Sequence, residues 1–300
     1  MLSRGIGDVA IKKLLNITSQ YPDITMESLC KNPNQLQSII KCREETLTSI
    51  QQNYNFASKL YNQIIENNIL IITEKDSLYP QNLKISLGNQ CPPVLFAKGN
   101  LDLLSTLSIG FCGSRKVSPK GIAITEECAK QLVERNLTVV SGYAKGTDVA
   151  AHLSAIKYGG NTVFVLAEGL LKYTPKFELN NYLNEQNHIF ISQFLPNQLW
   201  NVGNAMRRNS VIIGLSKAMI LVESGKQGGT FAAGEESLKR NIPLFVIDYA
   251  APEVSAEANP YFIERGGLPI RGRNGIPNLS KVFDIIDNNN YVSKQLKFNL

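Results

Sequence analysis

The sequence predicts an α/β protein: an extended Rossmann-like parallel sheet flanked by helices, with a small N-terminal helical module of the SAM or helix-hairpin-helix type. Apolar runs at Leu107–Cys112, Leu137–Ser141, Thr162–Leu166, Ile189–Phe194, Ala218–Val222 and Ile242–Ile247 are nearly continuous, as strands covered by helices on both faces must be. The stretches between them are long enough for right-handed helical crossovers. Glycine- or serine-bearing turns follow these runs, at the carboxyl ends of strands where open parallel sheets bind their ligands. An apolar content of 43% is enough for a sizeable core.

Residues 1–68 read as the helical module. Val9, Ile11, Leu14 and Leu15 can share one face, and Leu36, Ile39, Ile40, Leu47 and Ile50 recur at helical spacing. Gly5-Ile6-Gly7 has two readings. One is the hairpin of a helix-hairpin-helix, whose backbone N–H groups hold DNA phosphates; the other is a glycine-rich helix entrance with packing duties only. Residues 69–104 hold a short strand, Ile69–Ile72, and a turn-rich stretch punctuated by Tyr79-Pro80, Pro92-Pro93 and Gly99-Asn100, expected to be a linker packed on the next domain. That domain is expected over residues 105–290. Its tail adds a helix from Asn259, a turn-rich stretch around Arg271-Gly272-Arg273 and a closing helix near Leu279–Ile286.

The net charge of +6 favours a polyanionic partner, although no long Lys/Arg run occurs. Cys30, Cys42, Cys91, Cys112 and Cys128 are odd in number and form no CxxC pair, so neither a disulfide framework nor a zinc site is expected, and no metal or cofactor is assigned. The N-terminus lacks a signal-like apolar stretch, and no run approaches the roughly eighteen apolar residues of a membrane span. A soluble cytoplasmic protein is expected.

The chemistry lies in the turns after the strands. Gly113-Ser114-Arg115-Lys116-Val117-Ser118-Pro119 reads as a phosphate loop: Gly113 permits close backbone approach, Arg115 offers a planar fork, and Ser118 can cap a helix with Pro119 at its first position. The second turn, Ser141-Gly142-Tyr143-Ala144-Lys145-Gly146-Thr147-Asp148, brackets Lys145 with Gly142 and Gly146. His152, one turn beyond Asp148, can hydrogen-bond to it. No nucleophile accompanies the pair, so it is assigned to loop support and no catalytic residue is proposed. Arg207, Arg208 and Asn209 precede the apolar helix Val211–Leu215, presenting two guanidiniums and an amide. Gly225-Lys226-Gln227-Gly228-Gly229-Thr230 opens another helix, where backbone N–H groups and the helix dipole attract an anion. Tyr143 and Tyr173 are the candidates for base stacking.

In this order the residues resemble the DNA-processing protein A (DprA/Smf) family. Tyr79-Pro80 with Leu83, Pro92-Pro93-Val94-Leu95-Phe96 and Lys98-Gly99-Asn100 are similar to its lead-in; Gly113-Ser114-Arg115 with Ser118-Pro119 and Gly121, then Ser141-Gly142, Ala144, Gly146, Asp148, Ala151 and His152, to its signature loops; and Arg208-Asn209 with Ile212-Ile213-Gly214-Leu215-Ser216, to its Arg-Asn helix. The resemblance implies a homodimer that binds single-stranded DNA in a basic pocket without cutting it, protects incoming strands in natural transformation and loads RecA on them. Arg115, Lys145 and Arg208 would neutralise phosphates; Gly113, Ser114, Gly146, Gly229 and Thr230 would lend donors. The chain departs from the family at Lys145 (usually Arg), Ala205-Met206 (Phe-Pro), Gln193 (Glu) and Asp248-Tyr249 (Pro-Gly), and a divergent member without the C-terminal winged-helix module is expected.

The rival reading is a nucleotide-binding phosphoribohydrolase or nucleotide sensor of the lysine-decarboxylase-like type, to whose PGGxGTxxE motif Gly228-Gly229-Thr230 is similar. Where that chemistry needs a Glu one turn after the Thr, this chain has Ala233, with Glu235 and Glu236 rotated away.

Overall fold

A computed structural model describes residues 1–287 of the chain; the last three residues of the expected 105–290 domain lie outside the described residues. The elements run α1 (Asp8–Gln20), α2 (Met26–Lys31), α3 (Pro33–Ile40), α4 (Glu44–Glu66), β1 (Leu70–Thr73), α5 (Gln81–Leu87), β2 (Val94–Gly99), β3 (Ser108–Cys112), α6 (Pro119–Glu134), β4 (Thr138–Ser141) and α7 (Thr147–Lys157). They continue with β5 (Thr162–Val165), α8 (Phe177–Asn180), β6 (His188–Ser192), α9 (Val202–Leu215), β7 (Ala218–Leu221), α10 (Gly229–Lys239), β8 (Leu244–Ile247), α11 (Asn259–Glu264), β9 (Leu268–Ile270), the small hairpin β10 (Gly272–Arg273) and β11 (Ile276–Pro277), and α12 (Ser280–Asp287).

The main sheet has nine strands in the order β1-β2-β6-β5-β4-β3-β7-β8-β9. From β6 to β9 the pairs are parallel, while β2 meets β6 and β1 meets β2 antiparallel. The expected Rossmann-like sheet is therefore present, with two corrections. Residues 69–104 do more than link: β1 and β2 extend the sheet, and Tyr79, Leu83, Leu87 and Leu95 are buried in its core. The turn signals at Tyr79-Pro80 and Pro92-Pro93 masked this, because they bracket α5 and directly precede β2 rather than marking an irregular stretch. The second correction is β9, a three-residue strand whose Gly266-Gly267 entry and Pro269 gave no strand pattern.

Side-chain alternation along the strands builds two cores. Met219 and Leu221 of β7 and Leu244 and Val246 of β8 face α5, α9, α10 and α11. Ile220 and Val222, with Phe245 and Ile247, face α6, α7 and α12. Phe111, Phe164 and Phe245 are wholly buried, each contributing roughly 1.5–3 kcal/mol of transfer free energy. The helical module has its own small core of Leu14, Leu29, Leu36, Ile40 and Leu47. Its α1 and α4 lay Ile11, Leu15, Leu60 and Ile64 against Phe96, Phe164 and Phe190 of the sheet.

The strand order reverses at β3. The chain winds outward through β4, β5 and β6, then α9 returns it across the sheet so that β7 pairs with the other edge of β3. The loops after β3 and β7 diverge at this switch point and leave a crevice outside the strands' carboxyl ends.

Candidate functional site

That crevice is a cleft of about 1000 Å³, floored by Gly113, Ile212 and Ala233 and walled by the loops after β3 and β7 and the first half of α9. The loop after β3 is shaped by what lies beneath it. Ser118 caps α6, its Oγ accepting the Gly121 N–H at 3.0 Å, with Pro119 at the first helical position. The buried Glu223 at the end of β7 accepts from both the backbone N–H and the hydroxyl of Ser118 and from the Tyr249 hydroxyl. The start of α6 is thereby tied to the neighbouring strand, and Ser118 is spent on this anchor rather than turned to the cleft. Ser114, Arg115 and Lys116 are left on the cleft wall.

The loop after β4 supports the first from behind. Thr147 donates from its N–H and its hydroxyl to the Ser114 carbonyl, each at 3.3 Å. Gly146 has φ +80°, and a Cβ there would come within 2.5 Å of the same carbonyl, so glycine alone fits without strain. His152 and Asp148 do not bond to each other. His152 Nε2–H donates to the Gly142 carbonyl at 2.7 Å, Nδ1 pairs with the Thr162 hydroxyl, and burial lowers its pKa to about 3. Asp148 instead accepts the Ala144 N–H at 3.2 Å and faces Arg208 Nη1 at 3.8 Å. Helical geometry puts the two side chains on one face but aims them at different parts of the loop.

Arg208 is the central cation. Only 7% exposed, it donates from Nη1 to the Val165 carbonyl at 3.2 Å, while its buried Nε–H has no hydrogen-bond partner among the described residues. Burial lowers its pKa, with the Asp148 and Glu168 charges opposing that shift; burial likewise raises Asp148, opposed first by Arg208. Gly142 makes room for the guanidinium: a Cβ there would stand 1.4 Å from Nη1. Arg207, one residue earlier, points the other way, because successive helical residues are about 100° apart. It pairs with Asp8 of the helical module at 3.6 Å and does not line the cleft.

On the opposite wall, α10 is preceded by Gly228, which offers no side-chain cap, so its first-turn N–H groups meet the cleft unpaired by a capping group. Gly229 and Thr230 line the cleft. The Thr230 hydroxyl is used in a bond to the Gly113 carbonyl at 2.9 Å, and Asn209 Nδ2 donates to the Gly229 carbonyl at 3.1 Å, so α9, α10 and the first loop hold one another. The cleft therefore collects three cations, Arg115, Lys116 and Arg208, and an uncapped helix N-terminus; Asp148 and Glu253 are its carboxylates. Lys145 is exposed outside it, and Gly142 and Gly228 shape its walls from behind or from the side.

The stacking candidates are placed elsewhere. Tyr143 and Tyr173, both half-buried, pack against Phe164 and Phe190 away from the cleft, and the Tyr143 hydroxyl accepts the Lys176 N–H at 2.8 Å. Sequence reasoning missed an exposed aromatic that lines the cleft, Trp200, over which the Arg115 guanidinium lies 5.5 Å from the ring centroid. A lone tryptophan just before a helix, in a loop at the carboxyl end of the sheet, was the available signal. As for a hydrolase, Ala233 meets the cleft where a carboxylate is required. Glu236 is committed to Ser210 and Arg240, and Glu235 lies beside Arg265.

Comparison with known proteins follows the same residues. The family described as DNA recombination-mediator protein A matches residues 68–274. DNA processing protein DprA of Streptococcus pneumoniae is 32% identical over 193 residues, covering 64% of this chain and 67% of that protein. DprA of Bacillus subtilis is 30% identical over 159 residues, with 52% and 53% covered, and Protein Smf of Escherichia coli is 28% identical over 200 residues, with 66% and 53% covered. The matches span from 53% to 67% of these relatives' own lengths. The X-ray structure of DprA from S. pneumoniae is similar with a TM-score of 0.74 and 25% identity, covering 91% of this chain and 93% of that one. DprA from Helicobacter pylori, whose structure concerns that protein's single-stranded DNA binding mode, shares the fold with a TM-score of 0.58 and 21% identity, covering 76% and 96%.

Proposed function

Because the chain belongs to the DNA recombination-mediator protein A family, we propose that the cleft at its switch point binds single-stranded DNA through the sugar–phosphate backbone and does not cut it. One observation carries the reading: the largely buried guanidinium of Arg208 lines the same cleft as an uncapped helix N-terminus and the exposed cations Arg115 and Lys116. Such an arrangement recognises phosphate oxygens and no particular base. The single-stranded DNA binding of the H. pylori relative supports the same ligand.

In this reading Ser114, Arg115, Lys116, Arg208, Asn209, Gly229 and Thr230 meet the strand, and Gly113, Ser118, Gly142, Gly146 and Gly228 set the loops. Asp148 and His152 hold those loops from behind. Lys145 and Arg207, exposed outside the cleft, serve only a strand that continues past its rim. The reading extends, on the family resemblance, to a cytoplasmic homodimer that protects incoming strands and loads RecA on them in transformation. Among the described residues no helix is long and apolar enough to cross a membrane.

The test is fluorescence anisotropy with a labelled oligonucleotide of about twenty nucleotides, single- or double-stranded, across a salt series. Tighter binding of the single strand, falling steeply with salt, is the expected result. Absence of binding to either form, with release of base from a nucleoside monophosphate, would replace this reading with the hydrolase.

A further inference from the structure

We propose that Trp200 is a base-stacking platform at the mouth of the cleft, with Arg115 bridging its ring to the phosphate path; the inference rests on the strand-binding reading above. Trp200 is the chain's single tryptophan and is 46% exposed, although an indole is among the costlier side chains to leave in water. It sits directly before the cap of α9, where Asn201 Oδ1 accepts the Asn204 N–H at 2.8 Å, so the backbone carrying the ring is held.

The ring is not isolated. Val202, Met206 and Val254 also line the cleft and are 66%, 39% and 84% exposed. An apolar rim of this kind, set against a wall of Arg115, Lys116 and Arg208, matches the two sides of an unpaired strand: phosphates on one, base faces on the other. The Arg115 guanidinium lies 5.5 Å from the indole centroid. There it can stay over the ring while its N–H groups reach a phosphate, placing the neighbouring base within reach of the exposed indole. Paired DNA keeps its bases stacked inward and has none to offer. The rim therefore adds strand selectivity to a phosphate site that by itself has none.

The experiment uses the full chain and unlabelled oligothymidylate. Tryptophan emission reports this position alone, and quenching on strand addition is expected. Trp200→Ala should weaken binding of an intact strand roughly ten- to a hundredfold, Trp200→Phe should restore most of it, and the salt slope should not change, because no phosphate contact is lost. An abasic oligonucleotide of the same length should bind wild type and Trp200→Ala equally. Unchanged affinity of Trp200→Ala for the intact strand overturns the proposal while leaving strand binding standing, as does an equal loss on the abasic strand. Failure of wild type to bind any single strand overturns the strand-binding reading and this inference with it.

Discussion

Asp148 Oδ2 lies 3.8 Å from Arg208 Nη1, and both side chains are almost wholly buried. This pair joins the start of α7 to the middle of α9, and each group is the other's main counter-charge. Asp148 also holds the Ala144 N–H, so the carboxylate sets the loop and the guanidinium at once.

Removing one partner is therefore expected to cost more than removing both. Arg208→Met should destabilise the fold by about 3 kcal/mol, because it leaves a buried carboxylate without its cation. Adding Asp148→Asn should recover at least about 1 kcal/mol of that loss. Urea denaturation of the single and double variants checks it; strictly additive losses would show the pair to be uncoupled.

Gly142 should tolerate no side chain. A methyl group at that position would occupy the space of the Arg208 guanidinium and stand 2.4 Å from Asp148 Oδ2. Gly142→Ala is expected to cost about 1–3 kcal/mol and to weaken strand binding by displacing Arg208. A variant that melts and binds as wild type does would contradict the packing described here.

The exposed cations of the cleft wall and the arginine outside it should behave differently. Each of Arg115→Ala and Lys116→Ala is expected to flatten the slope of log affinity against log salt by about 0.7, the signature of one lost phosphate contact on a single strand. Arg207→Ala, whose guanidinium pairs with Asp8 outside the cleft, should leave the slope unchanged. Equal flattening by Arg207→Ala would mean that the strand runs along the outer face of α9.

Acid should unfold the protein partly through His152. Its pKa is 6.5 unfolded and about 3 folded, so its contribution is fully present above pH 6.5 and is lost as pH falls toward 3. Between those limits it should lower stability by up to about 1.4 kcal/mol per pH unit. His188, also lowered by burial, acts in the same direction, and the raised Asp148 and Glu168 act oppositely. The comparison is therefore wild type against His152→Gln, which should show the shallower acid limb, with NMR of the imidazole as a second check. A His152 ring that titrates near 6.5 would refute the burial argument.

The strands between Leu107 and Ile247, the turn after each and the Arg-Asn helix were legible because near-continuous apolar runs and glycine punctuation are local properties of a chain. Local pattern could not show that β1 and β2 complete the sheet, since an antiparallel edge is chosen by which backbone groups lie unpaired beside β6. Nor could it separate Arg207 from Arg208, neighbours in sequence whose side chains leave α9 on different sides, one to water and Asp8, the other to Asp148 and the cleft.

By itself, then, the sequence determined the fold class, the loops that line the cleft and the family, because backbone periodicity and turn chemistry need no distant partner. Only the tertiary structure decided which side chains of those loops remain free for a ligand. Ser118 is taken by Glu223, the Thr230 hydroxyl by Gly113, and Tyr143 by the aromatic cluster around Phe164 and Phe190, while Trp200 is left at the rim. Those assignments rest on contacts between residues far apart in the chain, where burial forces each polar group to find a partner before it can serve a ligand.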